Sequence, residues 1–171
     1  HDYAFARPVH WLVMLLGDQV VDAGLFGIRS DRMSRGHRFH HPEAVGIGKP
    51  DDYVDALRSA QVLVDPDERR AQLRAEIEAA AERADGVARI PDALLEEVNC
   101  LVEWPTAILC GFEPAFLRVP HEALISTMEA NQKFFPLLNH EHRLTARFIG
   151  IANIASTEQD QIRKGYEREN R

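Results

Sequence analysis

The densest group of residues that could do chemistry lies at positions 29–41, where arginine recurs at every third position. These arginines are Arg29, Arg32, Arg35 and Arg38. Asp31 is the single acidic residue among them, so the segment has a local charge of +3. Guanidinium groups match phosphate oxygens, and the rings of His37, Phe39 and His40 could stack on unpaired bases. The pattern therefore predicts an RNA contact, and the alternative is a solvated loop whose arginines pair with acidic helices.

A second polar cluster begins at the end of a predicted helix and runs into an aromatic strand. Thr127, Asn131 and one or both of Gln132 and Lys133 could project together from this helix end. The cluster is either a second part of an RNA-binding groove or an ordinary surface helix end before a core strand. If the cluster is part of such a groove, we expect Asn131, Gln132 and Lys133 to contribute to RNA binding.

The histidines of the arginine-rich segment also raise the question of a metal site. His37, His40 and His41 lie near Glu43, and imidazole with carboxylate suits zinc or iron. In an extended segment, however, His37 and His41 would share one face and His40 the other. No second cluster supplies further ligands, so we expect no metal.

Nucleophilic and phosphate-loop chemistry have little support. Ser126 lacks a Gly-x-Ser-x-Gly context, and Cys100 stands on a predicted apolar helix face without an adjacent base. The Gly46–Pro50 stretch contains a lysine, but Pro50 replaces the Ser or Thr of a phosphate loop. We therefore predict no catalytic residue in this chain.

The elements that must position these residues alternate along the chain. Patterning predicts a hairpin turning at Gly17-Asp18, a polar loop or sheet edge over 29–42, and helices over 50–60, 65–84, 91–102 and 120–131, with a last helix after a capping box at Ser156. Strands are expected near 44–48, 87–90, 106–112, 134–138 and 145–154. About five helices interleaved with six to eight strands indicate an α+β fold, with helices flanking a mixed, largely antiparallel sheet.

Composition limits the class of protein. The 171 residues include 20 Lys and Arg against 27 Asp and Glu, a net charge of −7, so any RNA contact must be a local patch. The longest run without polar residues, Trp11 to Gly17, is too short to span a membrane. Cys100 and Cys110 sit in apolar sequence and are expected to be buried, reduced thiols, as in a cytoplasmic protein. The ends suggest a segment of a longer protein, with one domain over 1–155 and the start of a helix to a next domain over 156–171.

Five ordered motifs carry a resemblance to a known family. The motifs are Arg7-Pro8-Val9-His10-Trp11-Leu12-Val13, Arg35-Gly36-His37-Arg38-Phe39-His40-His41-Pro42, Glu97 to Pro105, Ile125 to Met128 continuing to Gln132 through Leu137, and Ala152-Asn153-Ile154. Together they resemble an internal, N-terminal-half segment of the beta subunit of bacterial heterotetrameric glycyl-tRNA synthetase. The family typically has Tyr where this chain has Phe134.

The resemblance implies a role in charging tRNA(Gly) with glycine. In that family ATP and magnesium are used at the alpha subunit, and the beta subunit supplies tRNA binding, so no cofactor is expected in this segment. The implied partners are tRNA(Gly), the alpha subunit and the remainder of the beta subunit, without DNA or membrane. The implied fold resembles the editing-type module of the phenylalanyl-tRNA synthetase beta subunit.

Three roles within such an enzyme remain open at this point. In the first, the segment is a tRNA-contacting scaffold in which Arg35, His37, Arg38 and His40 touch phosphate or sugar. In the second, it is an editing-type hydrolase for mischarged tRNA, with Thr127 or His37 positioning water. In the third, it is purely structural and packs against other parts of the synthetase.

Overall fold

A computed structural model of the chain describes residues 8–154 and 159–169. The chain divides into two compact units, residues 1–64 and residues 65–171. The capping box predicted at Ser156 lies outside the described residues. The domain boundaries expected from the sequence, 1–155 and 156–171, stay a prediction.

The first unit consists of short strands and one helix. Its elements are β1 (Leu12–Val13), β2 (Leu15–Leu16), β3 (Gln19–Val20), β4 (Gly24–Leu25), β5 (Ile28–Asp31), β6 (Met33–Arg35), β7 (Ala44–Gly46), a 3₁₀ turn (Pro50–Asp52) and α1 (Tyr53–Ser59). The predicted Gly17-Asp18 turn is confirmed, since β2 and β3 pair antiparallel with Leu16 opposite Gln19. The prediction of a loop or sheet edge over 29–42 is wrong for β5, which pairs with both β1 and β4, whereas β6, among the described strands, pairs with β7 alone and fits the edge alternative.

The second unit carries a four-stranded sheet. Its elements are α2 (Pro66–Arg83), β8 (Val87–Ala88), α3 (Asp92–Asn99), β9 (Thr106–Gly111), a 3₁₀ turn (Pro114–Arg118), α4 (His121–Thr127), a π-helix (Met128–Gln132), β10 (Phe135–Leu138), β11 (Leu144–Ala152) and α5 (Gln159–Glu169). The strand order is β8-β10-β11-β9, and every neighbouring pair is antiparallel. The expected α+β class, with small and mostly antiparallel sheets, is confirmed; the likeness to an editing module stays a prediction.

Both faces of this sheet are covered, so its side chains alternate between two apolar cores. Phe135, Leu137 and Ile149 point into the core formed with α2 and α3. Phe134 and Phe148 point into the opposite core, and their rings stack with centroids 4.6 Å apart. A central strand buried on both faces explains why the sequence at 134–138 is almost continuously apolar.

The predicted cap and apolar stripe of α2 are confirmed, whereas the predicted burial at the end of α3 is partly wrong. Asp65 caps α2 by accepting the N–H of Asp67 at 2.8 Å, and the predicted stripe of Leu73, Ile77, Ala80 and Ala84 is buried. In α3 the burial prediction fails for Leu101, which is exposed because the helix ends at Asn99. Cys100 is exposed as well, against expectation.

The last helix packs on the sheet through two apolar side chains. Ile162 and Tyr166 of α5 lie against the second core. The Tyr166 ring packs against Gly150, where a Cβ would lie 2.6 Å from the ring, and its hydroxyl donates to the Ile151 carbonyl at 3.1 Å. Across residues 8–154 and 159–169, no helix combines the length and apolar character that crossing a bilayer requires.

Candidate functional site

The arginine-rich segment folds into a tight connection between β6 and β7, here called the basic loop (residues 35–43). Its path depends on Gly36, whose backbone packs against the end of α1 and against the loop itself. A Cβ at position 36 would lie 2.7 Å from the Ala60 Cβ and 2.9 Å from the His41 carbonyl oxygen. Both distances are shorter than real Cβ contacts, so glycine is required for this close approach.

His37 is the interior support of the basic loop. Its side chain is 0% exposed. Its Nδ1 accepts hydrogen bonds from the backbone N–H groups of Phe39 and His40, both at 3.2 Å. Its own backbone N–H donates to the Ala60 carbonyl at 2.9 Å, and its carbonyl accepts from His41 at 2.8 Å. The ring is therefore used inside the loop and does not form part of the surface that a ligand would meet.

The outer surface of the basic loop is basic and aromatic. Arg35 and Arg38 are exposed, and within the described part of the chain neither guanidinium has an ion-pair partner. Phe39 is 65% exposed. His40 is half-buried, with its ring 4.5 Å from that of His37. This surface can offer two cationic forks and one apolar ring to a ligand.

The other two arginines of the repeat bond to groups within the first unit. Arg29 forms an exposed ion pair with Asp22. Arg32 donates to the backbone carbonyls of Asp18 at 2.8 Å and Gly48 at 3.2 Å. Among the described residues, the repeat therefore separates into two arginines that have partners and two that have no ion-pair partner. Sequence alone could not make this distinction, because the partners come from other strands.

The second predicted cluster belongs to the second unit, where α4 continues into the π-helix. Lys133 follows in the left-handed region, with φ of 58°. Its Nζ lies 2.9 Å from Glu97 Oε1 and donates to the Ala130 carbonyl at 2.7 Å. Asn131 is exposed, and Gln132 is half-buried. The Lys133 charge is thus compensated by Glu97, the first residue of the Glu97 to Pro105 motif.

This cluster borders a cavity of about 390 Å³ between α3 and the π-helix. Arg89 and Glu129 form an ion pair beside it, with Nε and Oε1 2.6 Å apart. The lining is otherwise small or apolar: Pro91, Ala93, Leu94 and Ala130. The Arg89 and Lys133 charges at this cavity are both neutralised by glutamates, and no free cation in the described lining faces into it.

The candidate metal ligands and one of the two cysteines lie in the following surroundings. Among the described residues no group of three or more His, Cys, Asp or Glu side chains could hold a metal ion. His41 Nδ1 lies 3.7 Å from Glu43 Oε2, while His37 Nδ1 already accepts two amides. Burial raises the pKa of the Cys110 thiol to about 12, so this thiol is protonated and unreactive at neutral pH.

The residues suggested for hydrolysis belong to different units of the chain. His37 is enclosed in the basic loop of the first unit. Thr127 and Ser126 are exposed at the end of α4 in the second unit. Cys100 donates weakly to Glu96, with Sγ and Oε1 3.8 Å apart. Glu96 is itself bound by Arg70, whose hydrogen bonds lower the pKa of that carboxyl and leave it a poor base.

Comparison with known proteins adds the relationship that geometry alone does not give. The family model described as the glycyl-tRNA synthetase beta subunit matches residues 1–169. The chain is 60% identical over 168 residues to a glycine--tRNA ligase beta subunit of Xanthomonas campestris pv. campestris, covering 98% of this chain and 24% of that protein. It is 56% identical to the corresponding subunit of Xylella fastidiosa over 98% of this chain and 23% of that protein.

A third relative shows similar coverage. The glycine--tRNA ligase beta subunit of Pseudomonas fluorescens is 51% identical over 164 residues, covering 96% of this chain and 24% of that protein. The chain thus spans about a quarter of the length of the relatives it matches. The family match covers nearly all of this sequence, including the basic loop, both halves of the sheet and α5. This chain belongs to the glycyl-tRNA synthetase beta subunit family.

Proposed function

We propose that this segment contacts tRNA within a synthetase that joins glycine to tRNA(Gly) using ATP, and that it does not hold the aminoacylation site. The single observation that carries the proposal is the pair of exposed arginines, Arg35 and Arg38, on a rigidly held loop. In the described part of the chain neither guanidinium has an ion-pair partner, so both leave their hydrogen-bond donors available to an anionic ligand, as a local cationic patch on a protein of net charge −7. Phosphate is the partner that their geometry suits best.

The rigidity of the basic loop supports this role. Gly36 and His37 fix the backbone by close approach and by two internal hydrogen bonds. A loop that is ordered before binding loses less conformational entropy when it meets its ligand. The alpha subunit and the remainder of the beta subunit are the protein partners in this proposal, and ATP and magnesium belong to the alpha subunit.

The test uses the complete enzyme that contains this segment. The logarithm of the tRNA(Gly) binding constant falls with log salt, and each phosphate contact contributes about 0.7–0.9 to the steepness of that slope. R35A/R38A removes two such contacts, so we expect the slope to become shallower by about 1.4–1.8. The apparent KM for tRNA in aminoacylation should rise. Glycine-dependent ATP–pyrophosphate exchange should not change, because that step needs no tRNA.

The matched control is R29A, which removes an equally exposed arginine that already pairs with Asp22. It should leave both the affinity and the salt slope unchanged. If R35A/R38A binds tRNA with the wild-type affinity and slope, the proposed contact is wrong. If both variants lose affinity equally, the effect is one of net charge and not of this loop.

A second candidate role has its own observation, an apolar surface on the first unit. Trp11, Leu16 and Tyr53 are exposed there, and a cavity of about 380 Å³ is lined by Trp11, Leu12, Val13, Leu15, Ile47, Pro50 and Tyr53 with Ser34. Exposed apolar surface of this kind marks protein contacts. Because the chain covers only about a quarter of its relatives, we propose that the rest of the beta subunit chain occupies this surface.

Photo-cross-linking in the complete enzyme tests this second role. With p-benzoylphenylalanine in place of Leu16, which is 76% exposed, we expect cross-links within the beta chain to residues outside this segment. The same probe in place of Asp85, an exposed polar position, should give none. Cross-links to the alpha subunit or to a second beta chain would show that a different partner covers the surface.

A further inference from the structure

We propose that the basic loop binds an unpaired nucleotide, whose base stacks on Phe39 while Arg35 and Arg38 hold the neighbouring phosphates. This inference rests on the proposed tRNA contact and narrows it to a single-stranded or splayed-out part of the RNA. The sequence offered three rings in this segment as stacking candidates. The structure reduces them to one.

The rings of His37 and His40 are already used. His37 is fully buried and accepts two backbone N–H groups. His40 lies over it with ring centroids 4.5 Å apart at an angle of 34°. Phe39 sits between these two residues in sequence, yet its ring is 65% exposed, with its centroid 6.2 Å from that of His37. The loop therefore presents one aromatic face outward.

The backbone holds the Phe39 ring in this outward position. The Phe39 N–H donates to His37 Nδ1 at 3.2 Å, and the following N–H of His40 donates to the same atom. These two bonds fix the backbone at residue 39 and with it the direction of the Cα–Cβ bond that carries the ring. A phenyl ring held in water in this way is a suitable stacking platform for a base, which has an apolar face of similar size.

The two arginines make a nucleotide a better ligand than an apolar peptide. Arg38 directly precedes Phe39, and Arg35 stands at the end of β6 where the loop begins. Both are exposed, so a base on Phe39 would have its phosphates within the reach of cationic side chains. A base inside an A-form duplex has both faces stacked and cannot take a third ring. The ring therefore selects an unpaired nucleotide, whereas arginines alone would accept any phosphate backbone.

The first test separates stacking from phosphate contact in the complete enzyme with a tRNA(Gly) transcript. F39L should weaken tRNA binding by about 5- to 150-fold, the range for loss of one base–aromatic stack, with an unchanged salt slope. F39W retains an aromatic face and should bind within about twofold of the wild type. R35A/R38A should instead reduce the slope.

The matched control is F26L. Phe26 is 63% exposed in the turn between β4 and β5, and the arginine of that hairpin, Arg29, pairs with Asp22. F26L should leave tRNA affinity unchanged. If F39L also leaves it unchanged while R35A/R38A weakens binding, the stacking inference is overturned and the proposed phosphate contact stands. If neither variant weakens binding, both are overturned.

A second test locates the nucleotide. With p-benzoylphenylalanine in place of Phe39, ultraviolet irradiation of the complex should cross-link the protein to a nucleotide that is unpaired in tRNA(Gly). Cross-links confined to paired stem nucleotides would overturn the inference. A cross-link to the alpha subunit, together with weaker subunit assembly and normal tRNA affinity in F39L, would assign Phe39 to a protein interface and would also overturn it.

Discussion

The side-chain oxygen of Asn153 accepts the backbone N–H of Trp104 at 3.0 Å, and it also accepts the N–H of Glu103 at 2.7 Å. Two of the motifs that mark the family, Glu97 to Pro105 and Ala152-Asn153-Ile154, therefore meet at one hydrogen-bonding centre. Asn153 follows the end of β11, and residues 103–104 lead into β9, its neighbour in the sheet. The motifs are thus linked by structure at this corner of the sheet.

From this relationship we expect N153A to loosen the connection into β9. Loss of the acceptor leaves two backbone N–H groups without their partner, which costs about 1–3 kcal/mol. Hydrogen exchange of the amides of residues 103 and 104 should accelerate accordingly, while exchange in α2 stays unchanged. N153D retains an acceptor at this position and should exchange close to the wild type; equal exchange in N153A would contradict the assignment.

The support of the basic loop by His37 gives a prediction that does not involve RNA. H37L removes the acceptor of the Phe39 and His40 N–H groups. The free energy of opening the loop should therefore fall by about 1–3 kcal/mol. Because Arg35 and Arg38 lie in this loop, limited digestion with trypsin reports the opening directly. Cleavage after Arg38 should be about 5- to 150-fold faster in H37L than in the wild type.

The control for this experiment is H37N. The asparagine oxygen can take the place of Nδ1 as acceptor, so cleavage should return toward the wild-type rate. Cleavage after Arg83, at the end of α2, should be equal in all three proteins. If H37L and the wild type are cut equally fast after Arg38, the His37 ring does not hold the loop closed.

How much of this architecture the sequence predicts depends on how local each signal is. The cap at Asp65 and the stripe from Leu73 to Ala84 are read within one helix, and both were predicted correctly. The exposure of Cys100 is also readable in principle, since it lies two residues, or about 200°, from the buried Val98 around the helix. The strand β5 was missed although its pairing with β4 is a local hairpin around Phe26-Gly27; only its parallel pairing with β1, about 18 residues away, leaves no local turn signal.

The sequence predicts only part of the candidate site, for the same reason. The presence of a basic, aromatic segment is visible in the sequence. The orientation of His37 is not, because it depends on the backbone bond to Ala60 and the close approach at Gly36. The compensation of Lys133 by Glu97 is likewise a tertiary contact between the end of the π-helix and α3. Residue types therefore predicted the kind of ligand, and tertiary contacts decided which side chains remain available to it.

The Arg70–Glu96 pair between α2 and α3 predicts a dependence of local stability on pH. Arg70 donates to Glu96 Oε2 at 2.6 Å and to Asp67 Oδ1 at 2.6 Å. Because the hydrogen bonds from Arg70 lower the pKa of Glu96 below its ordinary value of 4.5, the folded state binds a proton there less readily than the unfolded state. The stabilisation is therefore complete above pH 4.5 and is lost as the pH falls through the lowered pKa.

We expect E96Q to lose this contribution. At pH 7 it should unfold more readily than the wild type, and on acidification below pH 4.5 its stability should fall less steeply. E78Q is the control, because Glu78 lies 3.9 Å from Arg74 in a longer contact within one helix. Hydrogen exchange of α3 across this pH range measures the difference; parallel curves for E96Q and the wild type would contradict it.

The outer edge of β9 gives the last prediction. β9 is the terminal strand of the sheet order, and two of its N–H groups are held by glutamates from different helices: Ala107 donates to Glu76 of α2 at 3.3 Å, and Gly111 donates to Glu167 of α5 at 3.1 Å. An uncovered strand edge pairs readily with other chains, and inward-pointing charges are a common protection.

In E76A/E167A the edge amides should exchange faster, and the protein should self-associate with increasing concentration. E76Q/E167Q retains both acceptors without the charge, so it should keep the amide protection. If sedimentation shows that E76A/E167A remains as monodisperse as the wild type, these glutamates fix α2 and α5 to the sheet but do not guard its edge.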